Sequence, residues 1–301
     1  MRVCLLAGGT GGAMLAQGFH DALEPGAVGV VCNTGDDTMW HGLLVSPDLD
    51  AVLYRLAGVF DEERRYGIAG DTFNALEQVA QLGGEAWFRV GDRDLAICLL
   101  RTALLAAGLT RSEVARDLCH RFGIRSAVVP MSDAAVRTIL ETDAGELDIQ
   151  EWFIRDAMKP EVRAVRFDGP ADPSPQAVEL LEGADLVVIG PSNPPISLEP
   201  IFYAVGRHIP RQRCVGVSPI VGGEALKGPT IRMLRELGRE ATPVGVAKGL
   251  LPWCSRFVLD RRDSGLAPAI RALGYDDVIV LDTVMGRGAR TRLAREILAA
   301  T

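Results

Sequence analysis

A short apolar run, Val3-Cys4-Leu5-Leu6-Ala7, meets Gly8-Gly9-Thr10-Gly11-Gly12 and passes directly into Ala13–Leu23, whose apolar residues fall at helical spacing. Five apolar residues without alternation fit a central strand of a parallel sheet, which is covered on both faces. A glycine-rich turn between such a strand and a helix lets backbone N–H groups approach a ligand closely. The helix start behind it adds unpaired N–H groups and a partial positive charge, the chemistry of a phosphate cradle. The alternative is a tight strand-to-helix turn with no ligand. The dinucleotide fingerprint G-x-G-x-x-G, read from Gly9 and Gly11, requires a third glycine where Met14 stands, and no Gly-Lys-Ser/Thr follows, so neither that fingerprint nor a Walker loop is present.

The order of the segments that follow sets the fold class. Val28–Cys32 is a second β-branched run, closed by Asn33-Thr34-Gly35-Asp36-Asp37-Thr38. Strand, glycine turn, helix and strand open a doubly wound fold, in which ligands gather at the carboxyl ends of the strands. From Met39 to Phe122 helical spacing dominates, in Leu49–Val59, Thr72–Leu82, Leu95–Ala107 and Ser112–Phe122, with Ser46, Asp71, Asp92 and Thr110 as caps. Strand patterns resume at Ile124–Pro130. Val136–Glu141, Glu146–Ile149 and Val162–Phe167 suggest a small antiparallel patch. Leu186–Ile189, Cys214–Val217, Val244–Ala247, Phe257–Leu259 and Val278–Leu281 read as strands, Gln176–Leu181 and Thr230–Leu237 as helices, and Arg287–Ala299 as a closing helix. The expected fold is α/β: a Rossmann-like, doubly wound, mostly parallel sheet with a helical insertion after the second strand. Residues 1–38 and 123–301 would form the core, and residues 39–122 an insertion covering the active site.

Composition removes several function classes. A net charge of −7 over 301 residues argues against a broad nucleic-acid-binding face. Cys4, Cys32, Cys98, Cys119, Cys214 and Cys254 form no C-x-x-C pair and sit mostly in apolar runs, as buried reduced thiols do. The start lacks the pattern of a signal peptide, and no apolar run approaches the ~18 residues of a membrane helix. The expectation is a cytoplasmic protein without nucleic-acid or membrane partners.

Four strand-end loops carry small polar residues: Gly8–Gly12, Asn33–Thr38, Gly190–Asn193 and Ser218–Gly223. Each alone is ordinary turn chemistry. Four at one sheet edge suggest a long polar ligand such as a nucleotide, with Gly9, Thr10, Gly11, Gly12, Asn33, Ser192, Asn193 and Ser218 as candidate contacts. Acidic groups concentrate at Asp36-Asp37, at Asp48 and Asp50, and at Asp92 and Asp94. Carboxylates at helix starts commonly cap. The sharper reading is a magnesium site, which needs one or two carboxylates plus phosphate oxygens and water, with Asp36, Asp37 and Asp50 as ligands. Asp92 and Asp94 flank Arg93, where local ion pairing is the simpler use. Trp40, Tyr54, Tyr66, Trp87 and Phe88 cluster near these acids, as core packing or as a wall for a flat heteroaromatic substrate, with Arg89 as a cation beside Trp87. His41 lies close to Asp36-Asp37, and no histidine pair has metal or triad spacing.

The chain resembles the 2-phospho-L-lactate transferase family of deazaflavin coenzyme biosynthesis. The resemblance rests on an ordered set that spans nearly the whole chain: Gly8–Gly12, Asn33–Asp37, Ser46-Pro47-Asp48-Leu49-Asp50, Tyr66-Gly67-Ile68 with Asp71-Thr72-Phe73-Asn74, Gly91–Asp94, Pro130–Asp133, Gly190–Pro194 and Ser218-Pro219-Ile220. It implies a magnesium-dependent transfer in which the ribityl hydroxyl of 8-hydroxy-5-deazariboflavin attacks the phosphorus of a guanosine-diphosphate-linked three-carbon acid and GMP leaves. Lactate, enolpyruvate and glycerate all remain open as that acid. The resemblance implies that Asp50 and Arg89 contact the deazaflavin, beside Trp87. Arg89 can be lysine in the family, and Tyr66 stands where tryptophan is common. Asp50 as base, metal ligand or substrate anchor stays undecided, and a homodimer is compatible with the family. The alternative is a non-enzymatic regulator of the related family that binds a uridine diphosphate sugar; it shares the glycine-rich start but differs in the helical acidic motifs. A nicotinamide oxidoreductase is disfavoured by Met14.

Overall fold

The computed structural model describes residues 1–225, 228–286 and 288–301. β1 (Val3–Ala7) leads through Gly8 into α1 (Gly9–Ala22), and β2 (Val28–Cys32) follows. A hairpin of β3 (Thr38–Trp40) and β4 (Leu43–Val45) precedes four helices: α2 (Pro47–Leu56), α3 (Asn74–Gln81), α4 (Asp92–Ala106) and α5 (Arg111–Arg121). β5 (Ala127–Pro130) returns to the sheet. β6 (Arg137–Thr142), β7 (Gly145–Asp148) and β8 (Val162–Asp168) form a separate antiparallel sheet in the order β7-β6-β8. Then come α6 (Pro175–Gly183), β9 (Leu186–Ile189), α7 (Glu199–Val205), β10 (Cys214–Val217) and the short pair β11 (Ile220–Val221) and β12 (Glu224–Ala225). α8 (Thr230–Glu236), α9 (Pro243–Leu250), β13 (Arg256–Asp260), α10 (Ala267–Arg271), β14 (Asp277–Leu281) and α11 (Ala289–Ala300) complete the chain.

The central sheet has seven strands, all parallel, in the order β14-β13-β10-β9-β1-β2-β5. From β1 the chain first builds outward through β2 to β5, then crosses to the other side of β1 and builds outward through β9, β10, β13 and β14. The strand order therefore reverses between β1 and β9, where doubly wound folds open a crevice at the carboxyl ends. β1, β2, β9 and β10 are buried along their whole length, which explains their unbroken apolar runs. One face buries Leu15, Phe19, Val52, Leu53, Leu118, Leu293 and Ile297 from α1, α2, α5 and α11. The other buries Leu181, Ile201, Val205, Val246, Leu250 and Ile270 from α6, α7, α9 and α10. Burial of apolar area on both faces supplies the dominant favourable folding term.

The doubly wound parallel sheet, the helical insertion and the antiparallel patch agree with the sequence reading. Three local expectations differ. Val244–Ala247 is not a strand but lies in α9, because Thr242 accepts a hydrogen bond from Gly245 N and Pro243 takes the first helical position. The β3–β4 hairpin starts the insertion, with His41 and Gly42 both at positive φ in its turn. The helix predicted from Ala13 starts at Gly9, so the glycine run is the first turn of α1 and not a loop before it. Arg287, the first residue of the predicted closing helix, lies outside the described residues. All six cysteines are buried and free. Among the described residues no helix is long and apolar enough to cross a membrane.

Candidate active site at the strand-order reversal

Gly8 caps α1 without any side-chain hydrogen bond, and Gly9 follows at φ +62°, a left-handed value that favours glycine. Gly11 and Gly12 serve a different purpose: a Cβ on Gly11 would stand 2.2 Å from the Pro191 carbonyl oxygen, and one on Gly12 2.7 Å from Ser192 Oγ. The loop after β9 thus rides directly on the first turn of α1. Gly8 N donates to Ser192 Oγ at 3.5 Å. Three predicted nucleotide contacts, Gly11, Gly12 and Ser192, are in this way brought together.

Asn33, at the end of β2, organises the acids. Its Nδ2 donates to Asp48 Oδ2 at 2.9 Å, to Asp36 Oδ1 at 3.5 Å and to the Ile196 carbonyl at 3.2 Å, while its Oδ1 accepts from Gly35 N. Asp48 also accepts from the Gly9 backbone N–H, so its carboxylate sits at the positive end of α1. Asp36 is held from the far side by Gln150, whose Nε2 donates to the Asp36 carbonyl at 3.3 Å and to Oδ2 at 3.4 Å. Among the described residues no lysine or arginine pairs with Asp36 or Asp48, although both are 8% exposed. Burial pushes the Asp36 carboxyl well above its usual range, reinforced by the charges of Asp48, Asp37 and Asp50. Burial also pushes Asp48 up to about 6, against the bonds from Asn33 and Gly9.

The other two predicted ligands are placed differently. Asp37 is ion-paired with Arg111, and Asp50 with Arg101. Burial raises both carboxyls and the arginines pull against it. Asp50 Oδ2 and Asp37 Oδ1 are buried and have no partner among the described residues. Asp50 Oδ1 is held by Arg101, so one oxygen is fixed and the other remains available. Beside it stands Asp94, pushed up to about 7 by burial and by the Asp50 charge, and accepting from the Tyr54 hydroxyl at 2.6 Å. Asp50, Asp94 and Cys98 place ligand atoms within 4.8 Å of one another. Burial raises the Cys98 thiol far above neutrality, so it stays protonated and suits a hard cation poorly.

Asp92 and Asp94 do not pair with Arg93. Asp92, in the first turn of α4, accepts from Thr72 Oγ1, Asn74 N and Ala75 N at the start of α3. Asp71 returns the exchange by accepting from Arg93 N and Asp94 N at the start of α4. Two carboxylates thus cap each other's helices. Arg89 is exposed and stacks its guanidinium on Phe73, 4.4 Å from the ring centre. Trp87 turns instead to Trp40, with ring centres 4.8 Å apart. His41 packs on Trp40 and bonds the Glu85 carbonyl, and makes no bond to the acids. Ser218 spends its hydroxyl inside its own turn, donating to Ile220 O and accepting from Ile220 N. Asn193 donates to Met233 Sδ, and its buried Oδ1 has no partner among the described residues. Thr10 lies in the first turn of α1.

A family model described as 2-phospho-L-lactate transferase CofD matches residues 3–282. The chain belongs to the 2-phospho-L-lactate transferase family, and it is a transferase. It is 40% identical to the 2-phospho-L-lactate transferase of Methanopyrus kandleri, over 99% of this chain and 97% of that one. A phosphoenolpyruvate transferase of Streptomyces griseus is 36% identical over 91% of this chain and 90% of its own length. Among solved structures, a UPF0052-family protein of Bacillus halodurans matches with a TM-score of 0.60 at 16% identity, over 99% of this chain and 98% of that one. At that identity the likeness concerns the fold alone.

Sequence reasoning singled out Asp50 but not Asp48 or Gln150 as site residues. For Asp48 the signal was present, in the Ser-Pro-Asp-Leu-Asp run. For Gln150 there was none, since it is a single amide 114 positions from the carboxylate that it meets.

Proposed function

We propose that this transferase moves a phospho-linked three-carbon acid from a guanosine-diphosphate-linked donor to the ribityl hydroxyl of 8-hydroxy-5-deazariboflavin, with release of GMP. The observation that carries the reading is the uncompensated Asp36–Asp48 pair, held by Asn33 against the amino end of α1 at the reversal of strand order. Two buried carboxylates without a basic partner fit a magnesium ion, which takes one or two protein carboxylates and completes its shell with phosphate oxygens and water. Asp36 and Asp48 would hold the ion, with Asn33 orienting both. When bound, it would neutralise charge on the diphosphate and on the departing GMP.

The chain's own groups supply the rest. The start of α1, whose Gly9 N–H is taken by Asp48, would set a diphosphate oxygen beside the ion, and Asn193 Oδ1 offers a buried acceptor to the nucleotide. Asp50 keeps one oxygen on Arg101 and presents the other to the attacking hydroxyl. It would accept the hydroxyl's proton as the phosphorus–oxygen bond forms and the bond to GMP breaks. Trp87 and Arg89 would border the deazaflavin ring, with an apolar face and the exposed guanidinium that stacks on Phe73.

The test uses purified protein, magnesium, the deazaflavin and the guanylated derivatives of lactate, enolpyruvate and glycerate. GMP release that requires both the deazaflavin and magnesium is expected with at least one donor. Absence of GMP with all three donors would overturn the assignment.

A further inference from the structure

We propose that Gln150 is a positioning residue that orients Asp36 toward a divalent cation while leaving the carboxylate's charge unopposed, an inference that rests on the metal reading above.

Four buried acids crowd this end of the sheet, and they are held in two ways. Asp37 and Asp50 each receive an arginine. Among the described residues, Asp36 and Asp48 receive side-chain amides and backbone N–H groups, from Asn33, Gln150, Gly9 and Asp36 itself, and no arginine or lysine. An arginine satisfies a carboxylate and also cancels it. A neutral amide fixes the direction of a carboxylate's lone pairs and leaves the charge for another cation. Partners of this kind, one step removed from the metal, set ligand orientation.

The placement of Gln150 supports the role. It follows β7 and is 6% exposed. Its one NH2 group spans the main-chain oxygen and Oδ2 of the same aspartate. That double contact ties the Asp36 side chain to its own backbone and restricts its rotation. The antiparallel sheet reinforces the hold, because Thr138 N in β6 donates to the Gly35 carbonyl at 2.8 Å. Trp152, fully buried two residues beyond Gln150, anchors the segment. The antiparallel sheet, absent from the parallel core, thereby delivers one amide to the acid pair.

The experiment measures Mn2+ binding to the full chain by electron paramagnetic resonance, with magnesium-dependent turnover alongside. In Gln150→Leu, Mn2+ affinity is expected to fall about tenfold or more, the range typical of groups that orient metal ligands. The apparent KM for magnesium should rise by a similar factor, with kcat recovered at saturating magnesium. Gln150→Lys, which brings its own positive charge to Asp36, is expected to abolish saturable Mn2+ binding. If Gln150→Leu did not fold, Gln150→Asn carries the same test, since it keeps the amide but loses the reach. Unchanged Mn2+ affinity and unchanged KM for magnesium in the folded variant would overturn the inference alone. Failure of the unsubstituted protein to bind Mn2+ at all would overturn it together with the metal reading.

Discussion

The two pairs of buried aspartates behind β2 are close in sequence and opposite in treatment. Asp37 and Asp50 face Arg111 and Arg101. Asp36 and Asp48 face amides and the start of α1, at the crevice itself. Asp36 stands in a turn that Asp37 N closes by donating to the Thr34 carbonyl at 3.3 Å, and residues two apart on a helix, as Asp48 and Asp50 are on α2, diverge by roughly 200°. Asp36-Asp37 and Asp48-x-Asp50 thus divide by partner: one acid of each, Asp36 and Asp48 (the forward pair), meets amides, and the other, Asp37 and Asp50 (the rear pair), meets an arginine. The Asp37–Arg111 pair ties the segment after β2 to α5 of the insertion, and the Asp50–Arg101 pair ties α2 to α4 within it. The forward acids keep a charge deficit that folding alone does not relieve, the mark of a group retained for a ligand.

The largest expected effect breaks the forward pair. Asp36→Asn and Asp48→Asn each remove a metal-facing charge with little change of shape. Turnover is expected to drop by more than the about tenfold to hundredfold typical of outer partners. The stability effect has the other sign: without metal, Asp36→Asn relieves repulsion from Asp48 and Asp37, so its melting temperature should rise. Steady-state GMP release and thermal melting in chelator check both. A fall in both activity and melting temperature for Asp36→Asn would mean that the pair is structural.

The rear pair should respond in the reverse sense. Arg101 is 3% exposed, bonds Asp50 and the Leu44 carbonyl, and is held charged by Asp50. Removing one member of a buried ion pair leaves an uncompensated charge and costs about 3–5 kcal/mol. Arg101→Met is expected to lose stability on that scale in urea unfolding, whereas Asp36→Asn gains. Asp50→Ala strands Arg101 in the same way, so loss of turnover in that variant must be read at a temperature where it remains folded. Equal melting temperatures for Arg101→Met and the parent would remove the distinction between the two pairs.

Much of this was legible in the sequence, for identifiable reasons. Strands buried on both faces, such as Leu186–Ile189 and Cys214–Val217, announce themselves as unbroken apolar runs. The Thr110–Glu113 capping box likewise marks the start of α5. Val244–Ala247 misled because a four-residue apolar run fits strand and helix alike, and Thr242-Pro243 before it was the deciding signal. The acids were visible as a group, but their division was not. It depends on Arg101 and Arg111, more than 50 positions away in chain order, and on Gln150, which arrives from a separate sheet. Asp71 and Asp92 show the same limit at shorter range: each looked like a cap for the helix after it, and each caps the other's. Local pattern identifies elements, whereas the partner of a buried charge is a property of the packed chain.

The smallest expected effect is on pH dependence, and it sharpens the comparison without any substitution. Asp48 titrates near 6 in the folded protein, above the ordinary carboxylate value of 3.8, because burial disfavours its charge. Asp36 is displaced in the same direction. A group whose folded pKa is raised binds its proton more tightly when folded, so its stabilising contribution is complete below about pH 4 and is lost as pH rises through about 6. The metal-free protein should therefore lose a few degrees of melting temperature between pH 4.5 and 7 from this source. A divalent cation competes with those protons, so magnesium should stabilise the protein little at pH 4.5 and progressively more toward pH 7. In Asp48→Asn the magnesium-induced shift should shrink at every pH and lose most of its slope. Melting curves across this range, with magnesium and with chelator, check the point. A magnesium shift independent of pH would place the ion away from the raised carboxyls and return the forward acids to a purely structural role.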